Sequence, residues 1–219
     1  MQIDAAREQM VKQQVRAWDV LDQRVLDTLR QIPRERFVPA HYRELAYADA
    51  CIPLAHGQHM LAPEVAGRIL QALQLTPADR VLEIGTGSGF LSACMASLAG
   101  EVRSLEIHAD LADSAGATLA SCGIHNVRVM ARDGFEAVAE IGPESYDAIV
   151  LTGSLPVYDA RFAPHLARGG RLFCVVGDAP IMEARLVRRR AANEWATESL
   201  FETRLAPLIG AIPTPRFRF

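Results

Sequence analysis

The stretch Val81-Leu82-Glu83-Ile84-Gly85-Thr86-Gly87-Ser88-Gly89 constrains this chain more than any other. An apolar run breaks into three alternating glycines, and helix-forming residues resume at Phe90. Glycine carries no Cβ, so such a turn reverses the backbone within a few residues and lets a ligand approach the peptide amides. A strand that empties into a glycine turn and a helix is the start of a βαβ unit, whose parallel strands need helical crossovers. A dinucleotide site asks for G-x-G-x-x-G, so that a pyrophosphate rests on the helix N-terminus. Here the third glycine arrives one residue early, which argues against NAD.

The flanking sequence keeps to the same plan. Short apolar runs at 81–84, 102–107, 127–130, 148–151 and 171–176 alternate with stretches of helical length at 91–98 and 111–122, as parallel strands buried on both faces do. Upstream, Val11, Val15 and Trp18, then Val25, Leu26 and Leu29, recur at helical spacing and predict two packed helices over about 5–29. Pro33 and Pro39 interrupt that pattern, and 34–57 reads as an irregular connection. Pro63 opens a further helix with the stripe Val65, Ile69, Leu73, ending near Thr76-Pro77. Downstream, a charged run at 183–190 and a strand-like stretch around 200–208 predict late strands at the sheet edge, before Pro213 and Pro215 close the chain. The expectation is an α/β fold: a doubly wound, mostly parallel, seven-stranded sheet with an N-terminal helical extension. One domain over 1–219 is expected, with helices and a substrate-side loop in 1–78, a binding core in 79–180 and edge strands in 181–219.

Bulk properties exclude several function classes. Half of the 219 residues are hydrophobic, enough for a chain that buries roughly 70–75% of its unfolded surface. Lys plus Arg number 23 and Asp plus Glu 26, a formal charge of −3 that disfavours a nucleic-acid partner. Arg188-Arg189-Arg190, the one basic cluster, reads as a solvated turn or helix end. Cys51, Cys94, Cys122 and Cys174 show no C-x-x-C spacing and sit among apolar or small neighbours, as buried thiols in a reducing compartment would. No apolar run reaches the roughly 18–20 residues needed to span a bilayer, and 1–4 lack signal-peptide character, so a cytoplasmic protein without a membrane partner is expected.

The acidic residues around the glycine turn suggest what it holds. Glu83, two places before Gly85, suits a ligand bearing an ammonium and a sulfonium and would repel a pyrophosphate. Glu106 closes the next run about 20 residues on, where an acidic side chain can accept ribose hydroxyls. Asp133-Gly134-Phe135 follows the third run, with a carboxylate and an amide for an adenine edge and a ring for packing. Leu166-Ala167-Arg168-Gly169-Gly170-Arg171-Leu172 introduces the fifth run through a helix end and a glycine turn.

Together these elements resemble the class I S-adenosylmethionine-dependent methyltransferases over about residues 80–177. Further motifs resemble the protein-L-isoaspartate O-methyltransferase family. These are Met10-Val11 through Arg16, Phe37-Val38-Pro39, Gly57-Gln58 before Ala62-Pro63, and Arg204-Leu205-Ala206-Pro207-Leu208. The resemblance implies a Rossmann-like methyltransferase fold and a repair enzyme that methylates the α-carboxyl of isoaspartyl residues. The partner would then be a protein or peptide carrying a carboxylate acceptor, with S-adenosylmethionine leaving as S-adenosylhomocysteine. It also implies cofactor-binding roles for Glu83, Gly85, Thr86, Gly87, Ser88, Gly89, Glu106, Ile107, Asp133, Gly134 and Phe135.

The chain departs from the family at the acceptor side. The family pattern after Gly-Gln is Thr-Ile-Ser, the serine being its active-site residue, whereas His59, Met60 and Leu61 stand here. The family's alanine-rich loop after the fourth strand reads Thr152-Gly153-Ser154-Leu155-Pro156. A carboxylate nucleophile needs no base; for a hydroxyl acceptor, His59 is the candidate catalytic base. His56 and His59 lack a third ligand, so no metal is expected; His41, His108, His125 and His165 look solitary. Three readings stay open: an isoaspartyl enzyme, a methyltransferase acting on another carboxylate or hydroxyl, and a cofactor-binding member without catalytic activity.

Overall fold

The computed structural model describes residues 2–211, so Pro213 and Pro215 lie outside the described residues. Its centre is a seven-stranded sheet in the order β5-β4-β3-β6-β7-β8-β9. The strands are β3 (Arg80–Ile84), β4 (Glu101–Glu106), β5 (Val127–Ala131), β6 (Tyr146–Leu155), β7 (Leu166–Asp178), β8 (Ile181–Ala191) and β9 (Glu194–Glu202). Strands β3 to β7 run parallel, and β8 and β9 add antiparallel at one edge. The chain winds outward from β3 through β4 to β5, then returns to β6 on the other flank of β3. This reversal makes the β3–β6 junction the topological switch point, where open α/β sheets leave a crevice for ligands.

Side-chain alternation along the inner strands divides the core. Leu172, Cys174 and Val176 face one apolar cluster, and Phe173 and Val175 face the other. The second cluster is the larger one. It takes in α2 (Gln23–Gln31), α3 (Pro63–Leu73), α4 (Phe90–Leu98) and the buried end of the first helix, which begins as α1 (Gln2–Gln9) and widens into a π-type turn at Met10–Val15. Asp22 caps α2 by accepting from the Arg24 amide, and Pro63 occupies the first turn of α3, where its missing N–H has no partner to lose. Helix α5 (Ala109–Ser121) packs on β5 and β4. The opposite face carries the one-turn α6 (Gly134–Ala137) and 3₁₀ turns at Val138–Glu140 and Ala163–His165, and Leu208 and Ala211 also pack there.

Several expectations change. Trp18, expected on the buried stripe, is 41% exposed and meets Phe201 edge-on. Helix α3 stops at Leu73 because Gln74 adopts a left-handed conformation, ahead of Thr76-Pro77. Leu166 is already paired with Tyr146 in β7, and the Gly169-Gly170 turn is a register irregularity within that strand, not a helix end. The basic cluster 188–190 is a strand, not a solvated turn. Alternation along β8 turns Arg189 inward, where it donates to the Leu166 carbonyl, pairs with Glu144 and lies over Trp195. The strand expected around 200–208 ends at Glu202, and beyond it the described residues cross the sheet end with one isolated bridge among them, Ser154 to Pro207. Of the cysteines, Cys94 and Cys174 are buried, Cys122 is half-buried and Cys51 is exposed. Among the described residues no helix is long and apolar enough to cross a membrane.

The end of the sheet opposite the crevice is fastened by charge. Arg171 on β7 donates to the Leu73 and Gln74 carbonyls, tying down the C-terminus of α3, and pairs with Asp79 at 2.6 Å. Burial pushes the Asp79 carboxyl up, but Arg171 and the Thr76 donors outweigh it and hold it below the usual carboxylate range. Asp79→Ala leaves Arg171 buried without its counter-charge. It is expected to lower the unfolding free energy by about 3 kcal/mol near neutral pH, read as a lower midpoint in urea. The loss should shrink as acid protonates Asp79 in the parent protein; a variant as stable as the parent at neutral pH contradicts this account.

Candidate active site

The crevice is a cavity of about 530 Å³ at the carboxyl ends of β3, β4 and β6, within the size range of small-molecule sites. Ten of the eleven residues expected at the cofactor line it: Glu83, Gly85, Thr86, Gly87, Ser88, Glu106, Ile107, Asp133, Gly134 and Phe135. Gly89 is the exception. It caps α4 with φ +83°, and a Cβ there would stand 3.1 Å from the Ala115 Cβ. Its smallness lets α4 and α5 approach, and it does not face the ligand space.

Each acidic residue is positioned by a donor that the fold supplies. Glu83 is fully buried; Ser104 on β4 donates to its Oε2 at 2.6 Å, and Ser92 on α4 donates to the same oxygen. Its other oxygen, Oε1, is buried without a partner. Burial pushes the Glu83 carboxyl up, and the charge of Glu106 adds to this; the two serine donors only partly offset it, leaving a value of about 7. Glu106 accepts the Gly87 amide at 2.8 Å on Oε2 and the His108 amide at 3.1 Å on Oε1, so the glycine turn itself holds the carboxylate. Each of these oxygens keeps a second lone pair. Asp133 caps α6 by accepting the Phe135 amide at 2.7 Å, and the Phe135 ring packs on Phe162 with Arg161 over its face.

The other part of the cavity is built by a loop and by the returning C-terminal segment. A short antiparallel pair, β1 (Ile52–Pro53) and β2 (His59–Met60), presents Gln58, His59, Met60 and Leu61 to the cavity. His59 is exposed, and its imidazole makes no hydrogen bond among the described residues. Leu61, at the family serine's place, is half-buried, and its carbonyl accepts from Arg34 at 2.7 Å. Arg34 is fully buried, donates also to the Ala46 carbonyl and lies over the Phe90 ring. Burial pulls its guanidinium down to about 10, so it stays charged at neutral pH. His108, which looks solitary in the sequence, stacks on His56 at 4.0 Å, and His56 pairs with Asp110 at 2.8 Å. Among the described residues no three His, Cys, Asp or Glu side chains gather as a metal ion requires.

Thr152 and Gly153, expected at the acceptor side, line the cavity, whereas sequence reasoning missed Cys51, Ala179, Met182 and the segment 204–209 as cavity walls. Pro207 was the available signal for the last of these, since a proline interrupts a strand's donor ladder and argues for a crossing segment.

The protein-L-isoaspartate(D-aspartate) O-methyltransferase family pattern matches residues 5–212. The chain belongs to this family. Protein-L-isoaspartate O-methyltransferase 1 of Rhodopseudomonas palustris (strain HaA2) is 44% identical over 208 residues, 94% of this chain and 84% of that one. The enzyme of Koribacter versatilis is 38% identical, over 95% and 91% of the two chains. A solved structure of a Plasmodium falciparum member of the family, in complex with S-adenosylhomocysteine, superposes with a TM-score of 0.77 at 20% identity, covering 92% and 97%; it shows the shared fold. Family membership makes the protein an S-adenosylmethionine-dependent O-methyltransferase. The cavity fits that cofactor on its own chemistry: a buried carboxyl with one orphaned oxygen suits a cationic ligand, and Glu106 keeps lone pairs for hydroxyl donors.

The ionised form of Glu83 is the disfavoured one inside the fold. The stability it contributes is therefore complete below about 4.5, its unfolded value, and is lost as pH rises through about 7. Glu83→Gln removes that loss. The ligand-free variant should gain on the parent between about pH 4.5 and 7 by up to about 3 kcal/mol and level off above. Urea unfolding of both proteins at about pH 5 and about pH 8 tests this, and a difference that does not change with pH refutes it.

Proposed function

We propose that the protein transfers a methyl group from S-adenosylmethionine to a side-chain or main-chain carboxylate of a protein or peptide, with isoaspartyl residues as the first acceptor to test. The observation that carries this reading is the convergence of Glu83, Glu106 and Asp133 on one cavity whose remaining wall is the Gln58–Leu61 loop. The relatives from Rhodopseudomonas palustris and Koribacter versatilis are named for the isoaspartyl activity, which supports the same acceptor. Four free cysteines suit a reducing, cytoplasmic setting.

The cofactor, when bound, supplies an electrophilic methyl group on a sulfonium. The chain's own task is to bind, align and exclude water, because in-line displacement by a carboxylate needs no proton removed. Glu83 and Glu106 would hold the cationic and ribose parts, and Asp133 with Phe135 the adenine edge. Met60, Leu61 and Leu205 make the acceptor wall apolar, and a carboxylate shielded from water is a stronger nucleophile. Leu61 therefore removes a hydroxyl that would position the substrate, not a base the reaction requires. One observation favours a second reading: His59 faces the cavity without a hydrogen-bond partner for its ring, as a base for a hydroxyl acceptor would.

Labelled methyl transfer to an isoaspartyl peptide, beside its aspartyl twin, separates the readings. Base-labile label on the isoaspartyl peptide alone is expected. Base-stable label on a hydroxyl peptide, lost in His59→Ala, would establish the second reading, and cofactor binding without transfer to any acceptor would defeat both. Glu106→Ala should weaken S-adenosylmethionine binding by about 1–3 kcal/mol in a calorimetric titration, the cost of unpaired hydroxyls. Unchanged affinity removes Glu106 from the cofactor site.

A further inference from the structure

We propose that Arg204 is the anchor for the acceptor's carboxylate, an inference that rests on the carboxylate reading above and sharpens it. The cavity carries three carboxyl groups, Glu83, Glu106 and Asp133, and an anionic acceptor entering it needs a compensating cation. Two arginines line the space. Arg132 is engaged, its guanidinium donating to both oxygens of Glu140 at 2.9 and 2.7 Å. Arg204 is exposed, and its guanidinium makes no hydrogen bond or ion pair among the described residues.

The path of the C-terminal segment places Arg204 at the acceptor end. The Thr203 amide donates to the Met182 carbonyl, at the start of β8. Two residues on, the Leu205 carbonyl accepts from Ser154 Oγ, and Leu205 packs in the apolar cluster that holds Met60, Met182 and Leu61. Leu208 then lies against Gly85 and Gly153, and Gly210 against the Phe135 ring and Asp133. The segment thus runs the length of the cavity, from the Met182 side to the Asp133–Phe135 side. Arg204 starts that run, at the end away from Asp133 and beside the wall that Met60 and Leu61 form.

The local backbone is pinned on both sides, by Thr203 to β8 and by Leu205 to β6, so Arg204 lines the cavity from a fixed point of the backbone. A planar guanidinium matches a carboxylate with two parallel N–H donors and finds no comparable partner in the neutral amide or ester. Arg204 therefore selects a carboxylate acceptor over its amide and relaxes its hold once the acceptor is esterified, which favours product release. It also compensates for the family hydroxyl missing at Leu61, since it orients the acceptor from beside the same wall.

The test is steady-state ester formation on an isoaspartyl peptide at saturating S-adenosylmethionine by the parent, Arg204→Gln and Arg204→Lys, with cofactor binding titrated for each. Arg204→Gln should raise KM for the peptide about ten-fold or more, with kcat changed much less and cofactor affinity unchanged. Arg204→Lys should recover part of the loss, and the parent's KM should rise with ionic strength more steeply than that of Arg204→Gln. An unchanged KM in Arg204→Gln, with the parent active, overturns the anchor and leaves the carboxylate reading standing. A raised KM together with weakened cofactor binding in both variants would make Arg204 structural and overturns it equally. A parent that esterifies no carboxylate peptide removes the acceptor reading and the anchor with it.

Discussion

The contact between the ends of β3 and β6 is the constraint on which the site depends. Thr152 Oγ1 reaches the carbonyls of both Ile84 and Gly85, at 2.9 and 2.7 Å, and binds the two strands where they part. A Cβ at position 85 would stand 2.2 Å from that oxygen, and the backbone there has φ +96°, so only glycine satisfies both the space and the torsion. Once Gly85 is in place, the turn continues through Gly87, whose amide is fixed by Glu106 on the neighbouring strand. The crevice exists because β3 turns into α4 on one side while β6 continues past it on the other. Its shape is therefore a property of the backbone, set before any ligand contributes.

The acceptor side obeys a different rule. Arg34 is a buried cation that grips main-chain carbonyls, at Ala46 and Leu61, and takes its cation–π partner from Phe90 in the first turn of α4. Because it grips the Leu61 backbone oxygen, this fastening survives a change of side chain at 59 or 61, while the buried Met60 side chain adds an apolar anchor of its own. That explains how His-Met-Leu can stand where the family has Thr-Ile-Ser without the loop leaving the site. The second fastening is the stack of His56 on His108 with Asp110, which ties the same loop to the β4–α5 corner beside Glu106.

These two rules account for what the sequence disclosed. The βαβ order, the glycine turn and the carboxylates at strand ends are written in short, local patterns, and the structure brings ten of the eleven expected residues to one cavity. Gly89 departs from expectation because a glycine needed for ligand approach and one needed for helix packing look alike in one dimension; the Ala115 contact that decides it is long-range. Three consecutive basic residues suggest a solvated surface, yet in a strand the middle one, Arg189, faces inward and is satisfied by the Leu166 carbonyl. The neighbours of Cys51 suggest a buried thiol, but a loop beside an open cavity does not follow composition. The 204–209 wall is hidden for the same reason, since its partners Ser154 and Met182 lie far away in sequence.

The division between the two halves bears on how far family membership reaches. A cofactor site made of backbone turns and of carboxylates fixed by amides and buried hydroxyls tolerates little change, because each substitution disturbs a strand end as well as a ligand contact. An acceptor site made of side chains on an independently anchored loop and on a crossing segment can change residue by residue at small cost to the fold. Substrate choice can therefore drift while the cofactor site stays fixed. In this chain residue 61 carries no hydroxyl, and the cavity is lined, among the described residues, by one imidazole and one guanidinium free of internal partners, His59 and Arg204. The imidazole can serve an acceptor that must lose a proton, and the guanidinium one that is already ionised. The two groups make opposite demands on the substrate, so whichever of them binds it fixes the acceptor class.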